Sequence, residues 1–408
     1  MKKFSKSVCV ALTAIFCFCG FAACGFSEKK VRSVDLTASK KARTVAAKAV
    51  DEQFLSACDD FAVRITKELY GGKNTCVSPL SIAAAFGMAT SGAKGETKTE
   101  LEALFGCDAQ TLNEYFATLM FGAADGKELH VANSVWSRKN AVTVDGGFLD
   151  VVKNYYRAQV YSADFDEKTV QDVNNWVYNN TRGGIDKVID DIDSDMAVFL
   201  INALDFEAEW QEKFEKNSVR SATFYGTKNQ STVSMMYASE SRYLEGENAK
   251  GFVKPYVGGK FKFAAILPDE GVDIADYLSS LTGEKLASIV SGVSTSPVEI
   301  GLPKFDFENT FDLIPALKKL GVNKAFAHDA DFSALGKSAY GNLYIGQVLH
   351  KTHVTVNEQK TKASAVTIIG ENCTEAAPGE PIILDRPFVF MILDGNDLPI
   401  FLGVVANF

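Results

Sequence analysis

Val356–Thr367 reads VNEQKTKASAVT, and Arg386-Pro387-Phe388 follows nineteen residues later. Just before it, His353-Val354-Thr355-Val356 alternates in the manner of a half-buried strand. A polar break at Asn357–Lys360 interrupts the alternation, and small and β-branched residues then take over before a loop. Nothing in the run suits catalysis. It has the make-up of a strand that has no sheet assigned to it, and the rest of the chain is read around that peculiarity.

The chain has 408 residues, 47% hydrophobic and 23% charged, an ordinary globular balance with ample length for a large core. No Gly/Ser/Pro-rich linker interrupts residues 51–408, which predicts one large domain there. Residues 1–24 read as a signal peptide: Lys2, Lys3 and Lys6 precede an apolar run from Val8 to Ala23, too short for a membrane span. The run ends in Phe21-Ala22-Ala23-Cys24, which resembles a bacterial lipoprotein box with Cys24 as the lipidated residue. The expectation is an extracellular protein tethered to the membrane only through that lipid. Residues 25–50 are polar and small, and predict a flexible linker.

Removing residues 1–24 takes away three Lys and no acid, leaving 39 basic and 51 acidic side chains, a net charge of −12. That balance argues against nucleic acid as a partner. Four of the eight cysteines lie within residues 1–24; Cys58, Cys76, Cys107 and Cys373 match no zinc spacing. Cys58 and Cys76 fall in apolar patterns and read as small buried side chains.

Helices are expected early in the chain and strands late, an α+β pattern. Phe54, Cys58, Phe61, Ile65 and Leu69 mark one face of a helix over residues 52–70 that stops at Gly71-Gly72. Ser78-Pro79 opens a second helix, Ser as N-cap and Pro at the first position, whose run IAAAFGMA is apolar all round and therefore buried. Thr97–Phe105, Val170–Asn180 and Phe311–Leu320 are further helices, the last followed by Gly321. His130–Ser137 reads as a strand, and Val198–Phe206 as a fully buried one. Strands fill Thr223–Leu267, and Pro387–Leu393 and Ile400–Val405 form a hairpin around Asp394-Gly395-Asn396-Asp397.

Enzyme signatures are missing. There is no G-x-S-x-G, Walker, G-x-G-x-x-G or H-E-x-x-H motif, so no catalytic residue and no cofactor is assigned. His350 and His353 lie three apart in a strand pattern and point to opposite faces, which predicts no metal site. Asp190, Asp191 and Asp193 lack calcium-loop spacing and read as a solvated turn.

The ordered landmarks of residues 51–408 resemble the serpin family. They are Asn74–Thr97 (NTCVSPLSIAAAFGMATSGAKGET), Val173–Val177 (VNNWV) with Thr181 and Gly183, Leu200–Ala203 running to Trp210, Leu267–Gly271 (LPDEG), Leu302–Phe305 (LPKF), Asp385–Phe388 (DRPF) and Phe401–Asn407 (FLGVVAN). With the lipoprotein-like start, the resemblance is to a bacterial lipoprotein-type member. It implies an α+β serpin fold: mixed helices around three β-sheets, a large central sheet A, and an exposed reactive-centre loop.

It also implies a monomeric, irreversible inhibitor of serine and sometimes cysteine proteases. A protease cleaves the loop, becomes acyl-linked to it, and is carried away as the loop inserts into sheet A as a new strand. Loop about 358–386 would be that bait, with Glu358 as the hinge acid and the scissile bond at Thr374-Glu375. Counting back from Pro387 allows Ala376 instead, and Cys373 is a third choice. From Glu358 to Thr374 is 17 residues, roughly 55 Å when extended at about 3.3 Å each. The inward set of the new strand would be Thr361, Ala363, Ala365 and Thr367, all small or β-branched and uncharged. None of the candidate cleavage residues is basic, which points to an elastase-like or subtilisin-like target. Ser78, Ser81, Asn202 and His350 map onto the family's shutter beneath the opening sheet, and Trp210 onto the breach where insertion begins.

One position departs from the family's hinge. Gln359-Lys360-Thr361-Lys362 places Lys360 where inhibitory members carry a freely bending glycine. That leaves a second reading, a non-inhibitory serpin acting as a protease substrate or binding module.

Overall fold

The computed structural model describes residues 27–41, 43–124, 128–193, 196–295, 297–339, 341–358 and 379–408. Its helices are α1 (Glu52–Leu69), α2 (Pro79–Gly92), α3 (Gly95–Ala103), α4 (Ala109–Ala124), α5 (Gly146–Tyr156), α6 (Glu167–Asn180), α7 (Ile274–Ser280), α8 (Gly283–Ser291) and α9 (Ile314–Lys319). The first strands are β1 (Val34–Asp35), β2 (Thr75–Val77), β3 (Leu129–Arg138), β4 (Val142–Val144), β5 (Gln159–Ala163) and β6 (Val198–Phe206). Next come β7 (Val219–Tyr225), β8 (Gln230–Glu240), β9 (Tyr243–Gly246), β10 (Ala249–Pro255), β11 (Lys262–Pro268) and β12 (Val298–Pro303). The chain closes with β13 (Phe305–Asp312), β14 (Gly336–Ser338), β15 (Val348–Val356), β16 (Gly379–Ile383), β17 (Phe388–Leu393) and β18 (Pro399–Val405).

Three large sheets organise these strands: β1-β5-β3-β6-β15-β13, β2-β18-β17-β11-β10-β9 and β16-β12-β8-β7. A two-stranded ribbon, β14-β4, stands apart. The first is mixed, because β3–β5 and β6–β15 run parallel while its other pairs are antiparallel. It is sandwiched. Successive side chains of β6 alternate faces: Phe199, Ile201 and Ala203 join the cluster under α6, while Leu200 and Leu204 join the main core on the α2 side. Helix α2 is buried on almost every side, as its all-apolar sequence demands, and starts from a Ser78 hydroxyl that accepts from the Ser81 N–H.

Two stretches differ from the sequence reading. Helix α9 begins only at Ile314, because Phe305, Phe307 and Phe311 continue the alternation of β13 and Pro315 then fixes the helix start. Within residues 25–50, expected as a flexible linker, Lys29–Lys40, Arg43 and Lys48 are held against the body. Val34 and Asp35 add the edge strand β1 to β5, Thr37 is fully buried, and the Lys48 N–H donates to Glu114 O. Along α6, the Lys29 N–H donates to Asn179, Asn175 donates to Lys30 O, and the backbone and hydroxyl of Ser33 both donate to Asp172. Backbone pairing and a buried carboxylate hold this polar segment, where an apolar pattern would normally signal docking.

Candidate functional site

The central pair of the six-stranded sheet is joined along only part of its length. Val348–Thr352 of β15 pair in parallel with Leu200–Leu204 of β6. Above Thr352, β15 keeps its antiparallel partner β13, through to Val356 opposite Phe305, and no longer pairs with β6. Phe206, Ala208, Trp210, Val354 and Val356 line the narrow cleft where the two strands separate. The chain leaves the sheet directly above it, at Asn357 and Glu358.

Trp210 closes this cleft. Its indole N–H donates to the Asn357 carbonyl at 2.8 Å, and its ring stacks on Tyr256 with centroids 4.6 Å apart. Phe214 and Phe263 present edges to the same ring. Glu358 is anchored by an ion pair to Lys304 at 2.5 Å, and that hydrogen bond lowers the carboxyl pKa. Both anchors sit within two residues of the end of β15, so the start of the following segment is fixed. Below Trp210, Lys254 pairs with Glu240, both buried, and its ammonium lies 4.7 Å from the Phe214 ring centroid. Burial raises the Glu240 pKa, which Lys254 partly offsets.

The structure brings Ser78, Ser81, Asn202 and His350 together. Asn133, Asn202 and His350 are direct register partners across β3, β6 and β15, and form a polar row on the face toward α2. The Ser78 N–H donates to His350 Nε2 at 3.0 Å, so Nδ1 carries the proton and donates to Asn202 Oδ1 at 2.8 Å. Asn202 Nδ2 donates to the Ser81 carbonyl and hydroxyl and to Asn133 Oδ1. Burial pushes the His350 pKa down to about 3, so the imidazole is neutral. Asn133 Nδ2 is buried without a partner among the described residues, which marks the row as imperfectly satisfied. Sequence reasoning missed Asn133; the one available signal was a polar residue inside the buried strand HVANSVWS.

Lys351, next along β15, faces the other way and is 7% exposed. Its ammonium donates to Lys187 O at 2.9 Å and pairs with Glu308 at 3.1 Å, tying the segment after α6 across the sheet. His353 is partly exposed and bonds Asp306 at 2.9 Å, away from His350. Among the described residues no cluster of His, Cys, Asp and Glu is arranged to hold a metal. Cys76 is buried while Cys58 and Cys107 are half-buried, all three as free thiols. Cys24, Lys360, Thr361, Ala363, Ala365, Thr367, Cys373, Thr374, Glu375 and Ala376 lie outside the described residues.

The central sheet is mixed and half-open between its central strands, and β15 and β16, the strands on either side of residues 359–378, belong to different sheets. Residues 56–408 match the family model of the serpins, serine protease inhibitors, and the chain belongs to that family. It is 39% identical to the thermophilic serpin tengpin in its native state, with a TM-score of 0.88 over 93% of this chain and all of that one. Iripin-8 of the tick Ixodes ricinus is 30% identical over 81% of this chain and 87% of its own length. Human thyroxine-binding globulin, solved with its hormone, is 26% identical with a TM-score of 0.77, covering 87% of this chain and 99% of that one. Serpins are typically protease inhibitors rather than catalysts, and generally target serine proteases.

Proposed function

We propose that this serpin is an irreversible suicide substrate for serine proteases, and for cysteine proteases of similar specificity. Loop about 358–386 is cleaved near Thr374-Glu375, with Cys373 and Ala376 as the neighbouring choices. The loop inserts between β6 and β15 and traps the acyl-enzyme. One observation carries the reading: β6 and β15 part above Thr352, directly below the anchored Asn357 and Glu358. The new strand therefore has its entry prepared at the point where the loop begins. The uncharged candidate bonds favour elastase-like or subtilisin-like targets. Signal-peptide removal and lipidation at Cys24 place the monomer on the outer side of the cell membrane.

Incubation with an elastase-like and a subtilisin-like protease should give a covalent complex stable on denaturing gels, and mass spectrometry of the released C-terminal peptide should identify the bond. Cleaved loop with free, active enzyme and no complex would reject the trap. Lys360 in place of the hinge glycine favours the second reading, a non-inhibitory member acting as substrate or binding module. Detergent-phase partitioning that is lost in Cys24→Ser tests the lipid anchor.

A further inference from the structure

Lys254 is 1% exposed and Glu240 8%, and the ammonium of the first pairs with the carboxylate of the second. Glu240 ends β8 and Lys254 lies in β10, so the pair joins two different sheets. The chain that continues β6 of the central sheet is bound to the end of β10 beside this pair. The Gln211 N–H donates to Pro255 O at 3.0 Å, the Val257 N–H donates to Glu209 O at 2.8 Å, and Trp210 forms a backbone bridge with Tyr256. The Lys254 ammonium lies over the Phe214 ring, 4.7 Å from its centroid, and over the Trp210 ring at 5.9 Å. Both distances are within reach of cation–aromatic attraction. Taking two charges out of water is costly, and apolar side chains of similar size usually fill such a place as well or better. They would not supply a fixed cation facing two rings, an attraction that is strongest where water is excluded.

We propose that Lys254, held in place by Glu240, is a positioning residue for Trp210: it fixes the indole so that its N–H meets the Asn357 carbonyl, 2.8 Å away. Stacking on Tyr256 sets the plane of the indole, and stacked rings tolerate offset. The cation adds a preferred position within that plane. On the trap reading given above, on which this consequence rests, the pair sets where the bait segment leaves the sheet.

The three tryptophan indoles each donate a hydrogen bond: Trp210 to Asn357, Trp136 to the Ser134 hydroxyl and Trp176 to the Gln159 side chain. Their N–H exchange, read by NMR on uncleaved protein carrying isotope-labelled tryptophan and without protease, tests the positioning whether or not the trap reading holds. Glu240→Leu with Lys254→Met removes both charges and leaves neither unpaired. It should speed Trp210 exchange about tenfold or more and leave Trp136 and Trp176 unchanged. Glu240→Gln with Lys254→Gln, an uncharged hydrogen-bonding pair, should do the same and serves if the first variant does not fold. Lys254→Arg keeps the cation and should keep Trp210 protected. Unchanged Trp210 exchange in either folded double variant overturns the proposal. An equal gain at all three indoles overturns it too, because the pair would then only hold the fold together.

Discussion

His350 is held by two hydrogen bonds in which its ring is neutral, and burial keeps it so down to about pH 3. In the unfolded chain an imidazole titrates near 6.5. Between those values only the unfolded state takes up the proton, so His350 lowers stability as pH falls below 6.5, by about 1.4 kcal/mol per unit. His350→Gln should be less stable at pH 7.5 because the row loses its partner. The gap to the parent should narrow by about 2 kcal/mol at pH 5.0, measured by urea unfolding. A gap that stays constant with pH would mean that the imidazole is not buried as a neutral ring. Asp59 works in the opposite sense. Burial, aided by Asp397 and Asp394, raises its carboxyl to about 7. The protonated form therefore contributes stability that is full below the ordinary carboxylate value and is lost as pH rises through 7. Asp59→Asn should gain about 1–3 kcal/mol at pH 8 and nothing at pH 4. That Ser78, Ser81, Asn202 and His350 meet was expected from the family resemblance, Ser78, Ser81 and Asn202 lying inside its quoted motifs. Asn133 and Lys351 were not, because their partners, Asn202 and the Lys187 carbonyl, come from elements 69 and 164 residues away.

At the scale of elements, helix α2, helix α6 and the buried strand β6 could be read from periodicity and caps, since each has a one-dimensional pattern that burial imposes. The segment before α1 could not. Its attachment runs through backbone pairing to β5 and through Asp172, a 2% exposed carboxylate on α6 whose Oδ2 accepts both Ser33 bonds. A strand of two residues leaves no period to detect. Asp172→Ala removes two charge-assisted bonds from a buried site and should destabilise by about 2 kcal/mol. Hydrogen exchange should rise in residues 27–41 and along β5 while the β17–β18 hairpin stays protected. Exchange confined to its parent pattern would show that Asp172 is not what holds the segment. Helix α6 and the segment after it thus have two ties, one to the N-terminal segment through Asp172 and one to β15 through Lys351.

For the whole molecule, the proposed trap requires that the native arrangement not be the most stable one available to the chain. β6 and β15 share hydrogen bonds only over Val348–Thr352, so their upper edges are unpaired toward each other. A strand inserted there would gain partners on both sides, at about 1 kcal/mol net per bond. On that proposal, the intact connection between β15 and β16, which belong to different sheets, keeps the strand out, and a kinetic barrier holds the state. A single cut between residues 359 and 378 should therefore raise the unfolding midpoint by ~20 °C or more, read by scanning calorimetry. Thr361→Arg should be cut at the same rate yet show no rise, because an unpaired guanidinium would have to enter the core side of the sheet. On the same proposal, Lys360 sets the rate rather than the end point of that transition. Lys360→Gly should leave the final midpoint of the cut protein unchanged while increasing the fraction of protease captured as covalent complex. A cut parent chain with an unchanged midpoint would show that the loop does not enter the sheet, and would remove the physical basis of the trap.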